Sequence, residues 1–267
     1  MTKPPSESML DRIISFYCFC DDFIKAIAYK DDTQSQMSTA EIMTTALVAT
    51  EFYGGNFENA RSLLRDHDYV KGMLSKSRFN RRLHSIPEVV WLQLSHALGT
   101  VHKALNRGQA YCVDSIPILV CDNIRISRSN IYTGEEYRGY IASKRRYFYG
   151  LRIHLVVTAH GKPVEMLLAP GSDSDICTLR CFDLDLPTHA SVHADKAYTD
   201  YLWEDLLKEV QDINLVALRK SNAKREMDGC ERYLSGRIRQ RIETVFSQIT
   251  IAFPRFIRAV TARCFEL

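Results

Sequence analysis

No apolar run in these 267 residues is long enough to span a bilayer. The opening M-T-K-P-P-S-E-S is polar, and it lacks the apolar core of a secretory leader. An integral membrane protein is excluded on this reading. The expected compartment is a reducing cytoplasm, with the eight cysteines as free thiols. A finger-type zinc site is disfavoured as well. Cys177 and Cys181 followed by His189 and His193 imitate a metal spacing, but the intervening F-D-L-D-L-P-T is too short for the usual finger, and buried structural cysteines are the better account. Net charge is also scarce, at only +3.

That small total conceals an uneven distribution. Residues 1–100 carry 11 basic and 12 acidic side chains, whereas Arg219 to Arg263 holds 11 Lys/Arg against only Glu226, Asp228, Glu231 and Glu243. A basic stretch around a single central carboxylate favours a polyanionic partner, although a solvated surface is the commoner meaning of any one cluster.

The chain changes texture near residue 108. Before it, apolar residues recur at helical spacing: Met9 to Tyr29, then Ile42 to Phe52 opened by Ser38 and Glu41 as a capping signature, then Phe57 to Arg65, Tyr69 to Leu74, and a helix begun by Pro87. Within this region K-S-R-F-N-R-R-L-H places Lys76, Arg78, Arg81 and Arg82 around Phe79 and Leu83. That arrangement suits a helix-turn-helix unit whose second helix meets DNA, and equally a solvated basic helix.

After it, short Val-, Ile- and Tyr-rich runs alternate with helical patterns. Tyr111 to Val113 reads as a strand delivering Asp114, with Pro117 limiting further pairing. Residues 123–143 read as an irregular insertion. R-R-Y-F-Y-G-L-R-I-H-L-V-V-T and V-E-M-L-L-A, joined by G-K-P, form an antiparallel hairpin. A helix follows Asp173, a strand at Ala190 to Ala194 delivers Asp195, and a further helix and strand lead to the last helix. There Ile238, Ile242, Val245 and Ile249 make the apolar stripe, with Glu243 at its edge and Arg239 one turn earlier. The expected class is α+β or α/β: a ribonuclease H-like mixed sheet with flanking helices over 109–267, after an all-helical N-terminal domain over 1–108.

In that order the first and fourth strands lie side by side, so Asp114 and Asp195 emerge together and Glu243 closes over them. Three carboxylates in one pocket repel unless divalent cations neutralise them, and oxygen-only ligands select Mg²⁺ or Mn²⁺. Each acid also has a bland reading: Asp114 as a turn residue, Glu243 as the partner of Arg239 in an intrahelical ion pair. Asp122, Asp173 and Asp175 compete for the site, Asp175 most strongly, though its place at a helix start favours capping.

V-D-S-I-P-I, V-C-D-N-I-R, G-Y-I-A-S-K-R-R-Y-F-Y-G-L-R-I-H-L-V-V-T, H-A-D-K-A-Y and R-x-x-I-E-x-x-F together resemble the IS982 family of insertion-sequence transposases, which are DDE enzymes. The likeness covers about residues 110–250. It implies a ribonuclease H-like fold, Mg²⁺, and Asp114, Asp195 and Glu243 as the catalytic and metal-holding D, D and E. The implied activity is metal-dependent cleavage and strand transfer at element ends. The alternatives are a nuclease that hydrolyses without joining and a catalytically decayed DNA-binding copy. The partner is double-stranded DNA, both terminal inverted repeats and target, in a bacterial, nucleoid-associated setting. Lys144, Arg145, Arg146, Arg237, Arg239 and Arg241 are the expected phosphate contacts of this region, with Arg239 partly orienting Glu243; Arg78, Arg81 and Arg82 are those of the helical region. Two departures stand out. Thr250 replaces the Lys or Arg that related elements often carry two turns after the Glu, and the family continues past Leu267, which makes a C-terminally shortened copy an expectation. Two element ends need two active sites, so a homodimer on DNA is expected, paired through the N-terminal helices.

Overall fold

The computed structural model describes residues 6–182, 184–252 and 261–266. The side chain of Asp122 and the basic residues Arg255 and Arg258 lie outside the described set, as does Leu267. Two compact units divide the chain. One runs to Trp91 and takes in a short stretch from Gln248; the other spans Leu92–Ser247 with the described residues 261–266.

The first unit is helical. α1 (Glu7–Ala26) is capped by Ser6, whose side chain accepts from the Met9 N–H, and it buries Ile13, Cys20, Phe23 and Ile24 along one face. α2 (Thr39–Tyr53) has the full capping box between Ser38 and Glu41 and ends at Gly54 in the left-handed conformation. α3 (Phe57–Asp66) starts on Asn56, and α4 (Lys76–Ser85) buries Phe79 and Leu83. The helix expected at Tyr69–Leu74 does not form; those residues are turn and coil. Val70 and Leu74 are buried as their hydrophobicity demands, but Asp68 has φ 56°. At Gly72 a Cβ would fall 2.2 Å from the Gln36 carbonyl oxygen. The chain is therefore pressed against another loop at a point only glycine tolerates, and tertiary packing overrides the helical periodicity.

α5 (Glu88–Leu105) was expected to close the N-terminal region at residue 108, yet the division falls within it, at Trp91 and Leu92. Its C-terminal half packs on the sheet of the second unit. His102 Nδ1 lies 2.6 Å from the Pro163 carbonyl, and Lys103 pairs with Glu165 at 3.3 Å and Asp185 at 2.9 Å.

The second unit is built on a six-stranded mixed sheet of order β2-β3-β1-β5-β6, with β4 also paired to β3. The strands are β1 (Ala110–Asp122), β2 (Arg138–Ile141), β3 (Arg146–Thr158), β4 (Pro163–Pro170), β5 (Ser191–Ala194) and β6 (Asn214–Ala217). β1 and β3 are antiparallel, and β2 and β4 share the outer edge of β3 in succession. β5 and β6 run parallel to β1. Two expectations are corrected. The insertion contains the edge strand β2, and β1 continues through Pro117, which faces Arg152. β5 pairs with β1 only as far as Val113, so at Pro117 no strand among the described residues pairs with β1 on that side, and a missing N–H costs no ladder bond there.

α6 (Asp175–Leu179), α7 (Tyr201–Gln211) and α8 (Gly229–Ala252) flank the sheet. The main core joins Tyr111, Val113, Val192, Ala194 and Leu215 of the strands to Leu179, Tyr198 and Leu207. This is the ribonuclease H-like arrangement anticipated from the order of elements.

Candidate active site

Val113 of β1 lies opposite Ala194 of β5 in parallel register, and the next residues on the two strands are Asp114 and Asp195. Asp114 lies within β1, opposite Leu155 of β3 and one residue past the last rung with β5, and Asp195 directly follows the end of β5, so the two carboxylates sit side by side where the parallel pairing stops. β1 and β5 need nearly continuous burial to hold this register, and Tyr111, Cys112, Val113, Val192 and Ala194 are fully buried.

α8 crosses over these strand ends. It is tied to β5 by Ser235, whose hydroxyl lies 2.8 Å from His193 Nδ1, with both residues buried. It also passes beside the β3–β4 turn, where Gly161 has φ 78° and an added Cβ would come within 3.1 Å of Val245 Cγ2, so a larger residue there would be strained. Ser235, Ile242, Val245 and Phe246 form its buried stripe. Between these anchors Arg239 reaches both acids: Nη2 is 3.4 Å from Asp114 Oδ2, and Nη1 is 3.5 Å from Asp195 Oδ1. Arg239 is thus directed at the two aspartates. Glu243, one turn further along α8, is exposed, and its carboxylate forms no ion pair with Arg239 or with any other described residue.

A second acid stands beside Asp114. Asp175 was read as a helix cap, but Ser174 caps α6, accepting from the Cys177 N–H. Asp175 instead accepts a 2.7 Å hydrogen bond from Ser115 Oγ, and its Oδ1 lies 4.0 Å from the buried His154 Nδ1. Tyr198 OH lies 3.4 Å from that same nitrogen, and Arg152 reaches Ser115 Oγ at 3.4 Å. Burial raises the pKa of Asp114, and nearby Asp175 adds to the effect; the Ser115 N–H and Arg239 oppose it. Burial also pushes the Tyr198 phenol and the Cys112 thiol well up, so neither ionises near neutrality. Sequence spacing could not single out His154 or Ser115, because a polar residue inside a strand carries no periodic signature, nor Tyr198, which lies in a single short turn after Asp195.

Among the described residues no group of three or more His, Cys, Asp or Glu is close enough to hold a metal ion. Asp114 and Asp195 both face Arg239, and with Glu243 they do not make such a group. The donor set nevertheless suits a hard divalent cation: all oxygens, from two adjacent strands, with one cationic group already needed between them. The expectation of buried structural cysteines is overturned at Cys177 and Cys181, which are both exposed, while His189 pairs with Asp212 and His193 is held by Ser235.

Residues 104–253 match a family model described as the transposase DDE domain. The chain belongs to the DDE transposases. No curated protein and no solved structure matches it.

The basic residues of the transposase fall into three groups. Lys144, Arg145 and Arg146 form the tip between β2 and β3, all exposed, with Arg145 in the left-handed conformation at φ 49°. On α8, Arg237 and Arg241 are exposed, while Arg239 is half-buried over the aspartates. In the helical unit Arg78 and Arg81 are exposed on α4 beside a groove of about 460 Å³, but Arg82 pairs with Asp31 at 3.0 Å and helps tie α4 to the loop before α2.

Proposed function

We propose that the protein is a transposase of the insertion-sequence type, similar to the IS982 family, which cleaves DNA at element ends and joins the freed 3′-hydroxyl to target DNA. The observation that carries this reading is the parallel register placing Asp114 and Asp195 side by side under a helix that bears Glu243. In this reading Asp114, Asp195 and Glu243 hold Mg²⁺ or Mn²⁺, which when bound supplies Lewis-acid stabilisation at the scissile phosphate. Arg237 and Arg241 flank the site, the Lys144–Arg146 tip grips the DNA backbone, and Arg78 and Arg81 of α4 make further phosphate contacts. His154 and Tyr198 stay neutral and keep Asp175 and Ser115 of β1 in place. No helix of the described residues is long and apolar enough to cross a membrane, which accords with work on chromosomal DNA. Joining two ends calls for a pair of protomers, at least on DNA.

The test is single replacement of Asp114, Asp195 and Glu243 by Ala, assayed on DNA carrying the terminal repeats of the element. Loss of cleavage with DNA binding retained is expected, and full cleavage by all three variants would overturn the reading. Pre-cleaved ends separate a transposase from a nuclease, because only the former yields joined product. One second reading is a DNA-binding copy that has lost catalysis, because Glu243 makes no metal-holding group with the two aspartates among the described residues. Thermal stabilisation by Mn²⁺ that disappears in Asp195→Ala counts against it.

A further inference from the structure

Arg239 stands where a cation would stand. Its two terminal nitrogens face Asp114 and Asp195 at 3.4 and 3.5 Å. These contacts are long compared with the roughly 2.7–2.9 Å of a well-made charge-assisted hydrogen bond. The Nε of Arg239 is buried with no hydrogen-bond partner among the described residues. A guanidinium that settles for two stretched contacts and leaves a buried donor unmet is held there by charge rather than by fit. What it offsets is clear from its surroundings: Asp114 is largely buried, and Asp195 leaves the adjacent strand beside it. Without a positive group between them the two would repel in a partly desolvated pocket.

The backbone beneath Arg239 is fixed by Ser235 one turn earlier and Ile242 three residues later, so α8 itself has no reason to move. The side chain is different. It has four rotatable bonds, half-met hydrogen bonding and 16% exposure, so it can leave while the helix stays.

We propose that Arg239 is an internal counter-cation: it holds Asp114 and Asp195 together in the metal-free protein and gives way when a divalent cation enters. This rests on the reading of those aspartates as metal-holding. Arg239 and the metal then compete for the same two carboxylates, and binding of either disfavours the other by the same factor. The device keeps the acid pair folded and aligned before metal arrives, and it lowers metal affinity in return. Arg239 is accordingly a positioning residue, distinct from the exposed Arg237 and Arg241 on the same helix.

The test uses the full chain without DNA. Mn²⁺ binding is measured by the paramagnetic resonance signal of the free ion for the wild type, Arg239→Gln and Asp195→Asn. Arg239→Gln is expected to bind Mn²⁺ at least about fivefold more tightly, the low end of ordinary coupling between two sites. It should also melt below the wild type without metal and regain the difference with metal. Unchanged or weaker Mn²⁺ binding by Arg239→Gln, or no binding by it and the wild type alike, overturns the proposal. Should Arg239→Gln fail to fold, the wild type still decides. The Arg239 guanidinium resonance, assigned by its absence in Arg239→Lys, must move as Mg²⁺ is added, and a resonance that stays put overturns the proposal. Asp195→Asn separates the two readings. If it binds Mn²⁺ like the wild type, the assignment of the metal site fails; if it loses Mn²⁺ while Arg239→Gln matches the wild type, only the counter-cation role fails.

Discussion

Ser235 and His193 fasten the helix above the site to the strand beneath it, through a 2.8 Å hydrogen bond between two buried side chains. The imidazole is kept neutral because burial lowers its pKa, and Nδ1 therefore needs a partner that can serve a neutral ring. A hydroxyl can donate or accept, so serine satisfies either tautomer. The placement of Arg239 one turn later depends on this link, since helix rotation or sliding at Ser235 would carry the guanidinium away from both aspartates.

Replacing Ser235 by Ala should leave that nitrogen buried and unmatched. The expected cost is about 1–3 kcal/mol of stability. Denaturant unfolding measures it, and Asp114 and Asp195 should then repel more strongly, so added Mn²⁺ should recover part of the loss. A variant as stable as the wild type would show that the hydrogen bond does not fasten α8.

His154 predicts an acid-sensitive core. Burial, opposed by Asp175 and assisted by Arg152, lowers its pKa from 6.5 to about 4. The unfolded chain takes up this proton near pH 6.5 and the folded protein only near 4, so the stability from keeping the ring neutral is present above 6.5 and lost as pH falls between those values. The loss should approach about 3 kcal/mol at the lower end. Urea unfolding from pH 7 to pH 4 checks it: His154→Gln should flatten the profile over that window, and an equally steep profile in the variant would assign the acid sensitivity elsewhere.

Arg145 allows charge and backbone strain to be separated. Its φ of 49° suits glycine better than arginine, and its side chain is exposed. Arg145→Gly should leave stability unchanged or raise it by up to about 1 kcal/mol. If the hairpin tip grips DNA, the same variant should weaken binding to any sequence and reduce the log-log salt slope by about 0.9 per lost phosphate contact. Thermal melting and binding titrations across salt concentrations read the two effects independently. An unchanged slope would make Arg145 ordinary surface charge.

Much of this molecule was legible in local pattern. The capping box at Ser38 and Glu41, the strand ending at Asp195, and the stripe through Ile242 and Val245 are short-range signals, because capping and amphipathic periodicity act within a turn or two of chain, whereas the strand expected to end at Asp114 runs on to Asp122. The order of those elements sufficed for a mixed sheet with its first and fourth expected strands adjacent. Tertiary structure decided what depends on distant segments meeting. The path at Gly72 is set by Gln36, the continuation of β1 past Pro117 by where β5 ends, and the partner of Arg239 by two strands more than forty residues away along the chain. Sequence spacing put Arg239 beside Glu243, since i and i+4 share a helix face. The fold turned it instead toward Asp114 and Asp195, because a long cationic side chain goes where buried negative charge is greatest, and that charge exists only once β1 and β5 have paired.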